Sequence, residues 1–247
     1  YMEQIWNNSF NDNFSERFQN IEKYQNNVLE RFDDTSTSTN QYTIEIPSDG
    51  PLSYYNTNSN GTTSSIVTGS SSNVRELTLI SPGTYTFKFI DNRTTSAITT
   101  TSNDGRIGVK RFTLIIEGSG VTIDGDNVPF ALSKAHNGII RNGTISTYGQ
   151  NNCHIKNIDI KIDGIENYDG GGICQPYFGR GAINNTITNC HVDGQIDKPF
   201  AGGICGDSCG RYGGNVAIEN CYNSGPIQAE WAGGICGTYC GGNNGNV

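Results

Sequence analysis

The stretch AGGICGDSCG, Ala201–Gly210, returns thirty-one residues later as AGGICGTYCG, Ala232–Gly241. Thirty-one residues earlier the chain reads GGGICQPYFG, Gly170–Gly179. With the copies in register, Gly171, Gly202 and Gly233 align, as do Cys174, Cys205 and Cys236. Asn189-Cys190 aligns with Asn220-Cys221, Cys209 with Cys240, and Phe200 with Trp231. A fixed period of this length with strand-like content implies a solenoid, each copy forming one coil.

One coil is too poor in apolar side chains to stand alone. Its set is Ile187, Cys190, Val192, Ile196, Phe200 and Ile204. Burying these does not offset the conformational entropy of ordering the whole copy, so neighbouring coils must supply the rest. Parallel stacking does so, each strand pairing with its equivalents above and below. Gly202-Gly203 and Gly233-Gly234 then mark corners, where a Cβ does not fit or positive φ is needed. Asn189 and Asn220 are expected to stack as an amide ladder. Cys190 and Cys221 are expected to stack inward as small hydrophobes.

Working outward, the chain has 247 residues, of which 34% are hydrophobic and 32 are glycine, with net charge −8. It holds no run of about 18 apolar residues, which excludes a helical membrane span. No basic cluster longer than Lys110-Arg111 occurs, which argues against nucleic acid as a partner. Residues 1–34 carry a heptad seam of Phe14, Phe18, Ile21, Val28 and Phe32, with Gln25 in the gap. This predicts an amphipathic helix, either self-associating or packed on the next domain. Residues 35–73 read as a Ser/Thr/Asn-rich linker containing one strand, Tyr42–Ile46. Residues 74–151 carry short β-branched strands, among them Leu77–Ile80, Thr84–Ile90, Phe112–Ile116, Val121–Ile123, Gly138–Ile140 and Gly143–Ile145. His154–Ile162 reads as one strand opening the repeat region, 152–247. No helix separates these strands, so βαβ crossovers are excluded. The expected class is all-β, a right-handed parallel β-helix preceded by a short helix.

The stretch GGICGDSCGRYGGNVAIENCYNSGPIQAEWAGGICG resembles the glycine-rich GLUG-type repeats of surface proteins. The resemblance covers about residues 152–247. Residues 74–150, with Val121-Thr122-Ile123-Asp124-Gly125, more loosely resemble pectin-lyase-like coils. The resemblance implies a parallel β-helix with a structural or adhesive role. Similar Cys-bearing repeats occur in bacterial surface proteins and giant-virus proteins. Cysteine replaces the usual aliphatic residue after GGI here, so the family implies no disulfide role.

The eight cysteines lie between 153 and 240. The spacings Cys205-x3-Cys209 and Cys236-x3-Cys240 suit either a disulfide within each copy or buried free thiols. His154 and His191 follow Cys153 and Cys190 directly, and neighbours on a strand face opposite ways, so a shared metal is not expected. No cofactor is implied. Asp124/Asp126 and Asp159/Asp163 are the nearest approach to paired catalytic acids, but Asp124-Gly125 reads as a turn. No nucleophile–base pair is evident. Phe200, Trp231 and Tyr239 are candidates for stacking on a glycan, set against Phe200 and Trp231 packing on each other between coils. Asn246-Val247 aligns with Asn215-Val216, midway through a copy, which reads as a segment of a longer or filament-forming chain. The expectation is a non-catalytic structural or adhesive fibre or spike, self-associating, extracellular or on a virion or cell surface. A polysaccharide-degrading β-helix spike is the alternative.

Overall fold

The structure, a computed structural model, describes residues 40–57, 75–90 and 105–247. The predicted N-terminal helix and its seam lie outside the described residues. The strands are β1 (Gln41–Pro47), β2 (Ser53–Asn56), β3 (Glu76–Leu79), β4 (Gly83–Ile90) and β5 (Ile107–Val109). They continue with β6 (Thr113–Ile116), β7 (Val121–Asp124), β8 (Phe130–Leu132), β9 (Ile140–Arg141) and β10 (His154–Lys156). The last are β11 (Asp159–Ile162), β12 (Asn185–Thr188), β13 (His191–Gly194), β14 (Val216–Glu219) and β15 (Tyr222–Asn223). No helix occurs among the described residues.

The strands form three sheets, ordered β14-β12-β10-β7-β4-β1-β2, β15-β13-β11-β8-β5 and β3-β6-β9. Every pairing is parallel except β1 with β2, which closes the outer edge of the largest sheet as a hairpin. These are stacked strands on three faces, consistent with a β-helix. The strand expected inside the linker, β1, is therefore an integral rung, pairing with β4 from Gln41↔Thr84 to Pro47↔Ile90.

Alternation sets the inside of each face. In β4 the residues Tyr85, Phe87 and Phe89 are buried while the intervening positions face out. Stacking then turns single letters into columns. The first runs Tyr42, Tyr85, Ile123, Ile155, Ile187, Ile218, each in register with the next. The second runs Ile107, Phe130, Ile160, Val192, Asn223. The third runs Leu77, Leu114, Ile140, Cys174, Cys205, Cys236. This third column explains the cysteines of the repeated phrase: they continue an aliphatic column with a smaller side chain. The earlier coils vary in length: Tyr85 and Ile123 stand further apart in sequence than Ile187 and Ile218, whereas Ile107 and Phe130 stand closer. Their interior is filled by Phe87, Phe89, Phe112 and Phe130, whose ring centroids lie 5.0–6.2 Å apart.

Two strand expectations fail locally. Gly143–Ile145 is a turn, with Thr144 Oγ1 accepting from the N–H of Ser146 (3.2 Å) and Thr147 (3.1 Å), and Ile145 is exposed. His154–Ile162 is two strands on different faces, broken where Asn157 adopts φ 57°. Asparagine reaches this left-handed region more readily than most residues and turns the chain there.

Candidate functional surfaces of the repeat coils

The corners are built from left-handed residues in equivalent places. Asn157, Asn189 and Asn220 have φ of 57°, 53° and 53°. Asn157 Nδ2 donates to Asp124 Oδ1 (3.0 Å), and Asn189 Nδ2 reaches Asn157 Oδ1 at 3.5 Å. Asn189 thus reaches Asn157, one coil earlier, a residue the sequence alignment of the copies did not include. Each Asn-Cys pair also carries a local bond. The thiols of Cys153, Cys190 and Cys221 donate to the carbonyls of Asn151 (3.4 Å), Thr188 (3.2 Å) and Glu219 (3.2 Å), two residues back around the corner. The sequence comparison aligned only the last two pairs, because Asn152-Cys153 stands at a different corner of its coil.

All eight cysteines are free thiols in this structure. Cys153, Cys174, Cys190, Cys205 and Cys209 are buried, and Cys221, Cys236 and Cys240 are half-buried. Burial pushes the Cys153 thiol up to about 11 and raises Cys174 and Cys205, the last also through its thiol neighbours. Cys221 is drawn down to about 7 by the adjacent Cys190 thiol, and burial then opposes that shift. Cys236 is likewise lowered by the thiols of Cys205, Cys209 and Cys240. Among the described residues no group of His, Cys, Asp or Glu is arranged to hold a metal ion.

The outer surface carries two ladders. Phe200 and Trp231 stack at 5.2 Å and 16°, coil upon coil, yet Trp231 remains 68% exposed and Tyr239 62% exposed. Both rings of the pair sit on left-handed backbone, φ 63° and 56°, as does Tyr239 at 56°. A second ladder alternates Tyr148, Arg180, Tyr212, Arg211 and Tyr239, with guanidinium-to-ring distances of 5.0, 4.5, 4.8 and 5.2 Å. Arg180 and Arg211 stand one repeat apart, which was the available signal for it.

A serine–histidine pair, which sequence reasoning missed, lies across β11, β13 and the residue after β15. His191 Nε2 is 2.9 Å from Ser224 Oγ and Nδ1 is 3.0 Å from Asp159 Oδ1. The order matches that of a Ser-His-Asp triad. Its surroundings differ. Asp159 Oδ1 also accepts from Arg106 (2.7 Å), and the Ser224 N–H is engaged by Val192 O (2.9 Å), so it is not free to hold an oxyanion. Tyr222 stacks on His191 at 4.2 Å. The group ties successive coils together. Of the other candidate acids, Asp124 is also engaged: it accepts from the Asp126 N–H (2.9 Å) and Asn157, and pairs with Lys156 (3.1 Å).

Comparison with family models, with curated proteins and with solved structures gives no match.

Proposed function

We propose that the chain is a right-handed parallel β-helix acting as a structural or adhesive protein of the extracellular, cell or virion surface, without catalytic activity. The observation that carries this reading is the bridging of identical residues one coil apart, Gly171↔Gly202↔Gly233 and Cys174↔Cys205↔Cys236. Such repetition serves stacking rather than a single reactive centre. Handedness follows from the right-handed winding of nearly all parallel strand connections. The GLUG-type resemblance supports the surface role. Self-association and glycan contact belong to the same proposal, with Trp231 and Tyr239 offering exposed rings to sugar faces.

The acids favour this reading over the hydrolase form of the polysaccharide-degrading alternative, lyase or hydrolase, since hydrolysis needs a protonated acid facing a second carboxylate. Burial would raise the Asp124 carboxyl, but bonds from the Asp126 N–H, Asn157 and Lys156 outweigh it and hold the group below its ordinary value. Such a group is a poor proton donor. The purified chain is therefore expected to release no reducing ends from a panel of polysaccharides, while adhering to glycan-coated surfaces through a contact weakened by Trp231→Ala. Release of reducing ends that Asp124→Asn abolishes would replace the proposal with its degrading alternative.

A further inference from the structure

Two thiols, Cys190 and Cys221, are held side by side in successive coils. The register His191↔Tyr222 and Val192↔Asn223 places Cys190, one residue back, beside Cys221. Backbone bonds bracket the pair: the Asn189 N–H donates to Glu219 O (3.1 Å) and the Tyr222 N–H to Cys190 O (3.1 Å). The two sulfurs converge on one strand. Cys190 Sγ lies 3.2 Å from Thr188 O, and Cys221 Sγ reaches across the coils to Ile187 O at 3.5 Å. They therefore rest on consecutive carbonyls of β12, where each thiol interacts with the other. Side chains next to them hold the register, the Tyr222 ring stacking on His191 at 4.2 Å and His191 Nε2 meeting Ser224 Oγ at 2.9 Å.

Stacked strands run about 4.8 Å apart, inside the roughly 4.4–6.8 Å between Cα atoms that a disulfide spans. The pairing is also unambiguous. On the other side of Cys190 the equivalent place is taken by Ile158, since Asp159 pairs with His191. Cys174, Cys205 and Cys236 instead form a longer column with Cys209 and Cys240 beside it, where thiols have competing neighbours. The two members of the pair differ in access. Cys190 is fully buried, whereas Cys221 is half-buried. Contact with Cys190 lowers the Cys221 thiol to about 7, while contact with Cys221, and then burial, raises Cys190. An accessible, acidic thiol beside a shielded one is the arrangement of an attacking and a resolving cysteine.

We propose that Cys190 and Cys221 form a disulfide between successive coils by exchange with a small-molecule disulfide. The Cys221 thiolate attacks one sulfur of the oxidant, whose S–S bond breaks and releases one thiol, leaving a mixed disulfide on Cys221. Cys190 then gives up its proton and attacks the Cys221 sulfur, expelling the second thiol. The two protein thiols lose two electrons and two protons, and the oxidant takes up both and becomes two thiols. The bond closes a whole coil into a covalent loop, which restricts the unfolded chain. It depends on the register of the coils and not on the surface role proposed above, although oxidising surroundings outside the cell are where such bonds persist. The full 247-residue chain, reduced and kept native, is titrated with oxidised glutathione, quenched in acid and alkylated in denaturant. Cleavage after Asp, Glu and Arg then places Cys190 and Cys221 on separate peptides that carry no other cysteine. The first bridge to form should join these two peptides, with two reduced glutathiones released for each bond. Cys190→Ala should stop the exchange halfway and retain one glutathione on Cys221. Cys221→Ala, at the half-buried position, should leave Cys190 a free thiol at the oxidant level that bridges the parent. A first bridge between any other pair, Cys205 with Cys209 included, would overturn the proposal. So would the absence of any bridge in the native chain, or a Cys190→Ala chain that keeps no glutathione on Cys221.

Discussion

At the scale of the residue, His136 couples the fold to pH. Its imidazole stays neutral in the folded chain down to about 3, through burial and then the Arg111 charge, against an ordinary value of 6.5. Glu76, Arg111 and Glu166 are the charged side chains sharing its cavity with Arg75. Between pH 6.5 and about 3 the unfolded chain binds a proton that the folded chain refuses. Stability is therefore whole above the unfolded value and falls as the solution is acidified through this window, by at most about 1.4 kcal/mol per pH unit from this group. Asp124 adds a loss of the same sign that begins below its ordinary value of 3.8. Urea midpoints of the parent and His136→Leu, compared across the window, should diverge steadily toward acid, the variant losing less. Parallel curves would show that the imidazole is protonated in the fold.

At the scale of the element, what defines a coil is its corners, and the paired glycines such as Gly202-Gly203 enter them for closeness rather than for φ. A Cβ at Gly202 would lie 1.9 Å from Cys205 O, 2.5 Å from Gly237 N and 2.7 Å from Cys236 C, all backbone atoms with nowhere to move. At Gly234, one place further along in the next copy, the nearest atom is the end of Ile227, at 3.3 Å. Gly202→Ala should thus lower stability by about 3 kcal/mol or more, by forcing two coils apart. Gly234→Ala should stay within about 0.5 kcal/mol, where a flexible side chain gives way. Denaturant melts of the two variants decide this, and equal losses would refute the close approach. Left-handed backbone is taken by Gly179, Gly210 and Gly241, one in each copy, and also by Asn157, Asn189, Asn220, Phe200 and Trp231. Asparagine has an intrinsic reason to be there; the two aromatics hold a costly backbone that their mutual stacking helps to offset.

At the scale of the whole molecule, legibility followed repetition. The rungs through Gly202 and Cys205 could be read because the same letters stack on themselves. The single strand expected over His154–Ile162 failed because one left-handed asparagine has no apolar pattern to announce it. Ser224, His191 and Asp159 occupy neighbouring rungs but differ in type, so aligning identical letters passes over them. The cavity around His136 draws on four coils whose lengths differ, leaving no period to detect. Yet the stacked order makes one further prediction. Reactivity of the thiols should be graded along the axis, because each coil shields the thiols of the one before it. Cys174, Cys205 and Cys209 are buried between coils, whereas Cys221, Cys236 and Cys240 are half-buried, with Cys221 lowered to about 7 by Cys190. The thiolate is the nucleophile, so acidity and access act together. Brief treatment of the reduced native chain with iodoacetamide, read by peptide mass spectrometry, should modify Cys221 and Cys236 first. Cys174, Cys205 and Cys209 should react only after unfolding. Labelling of Cys205 as fast as Cys221 in the native chain would mean that the coils do not lie upon one another in this order.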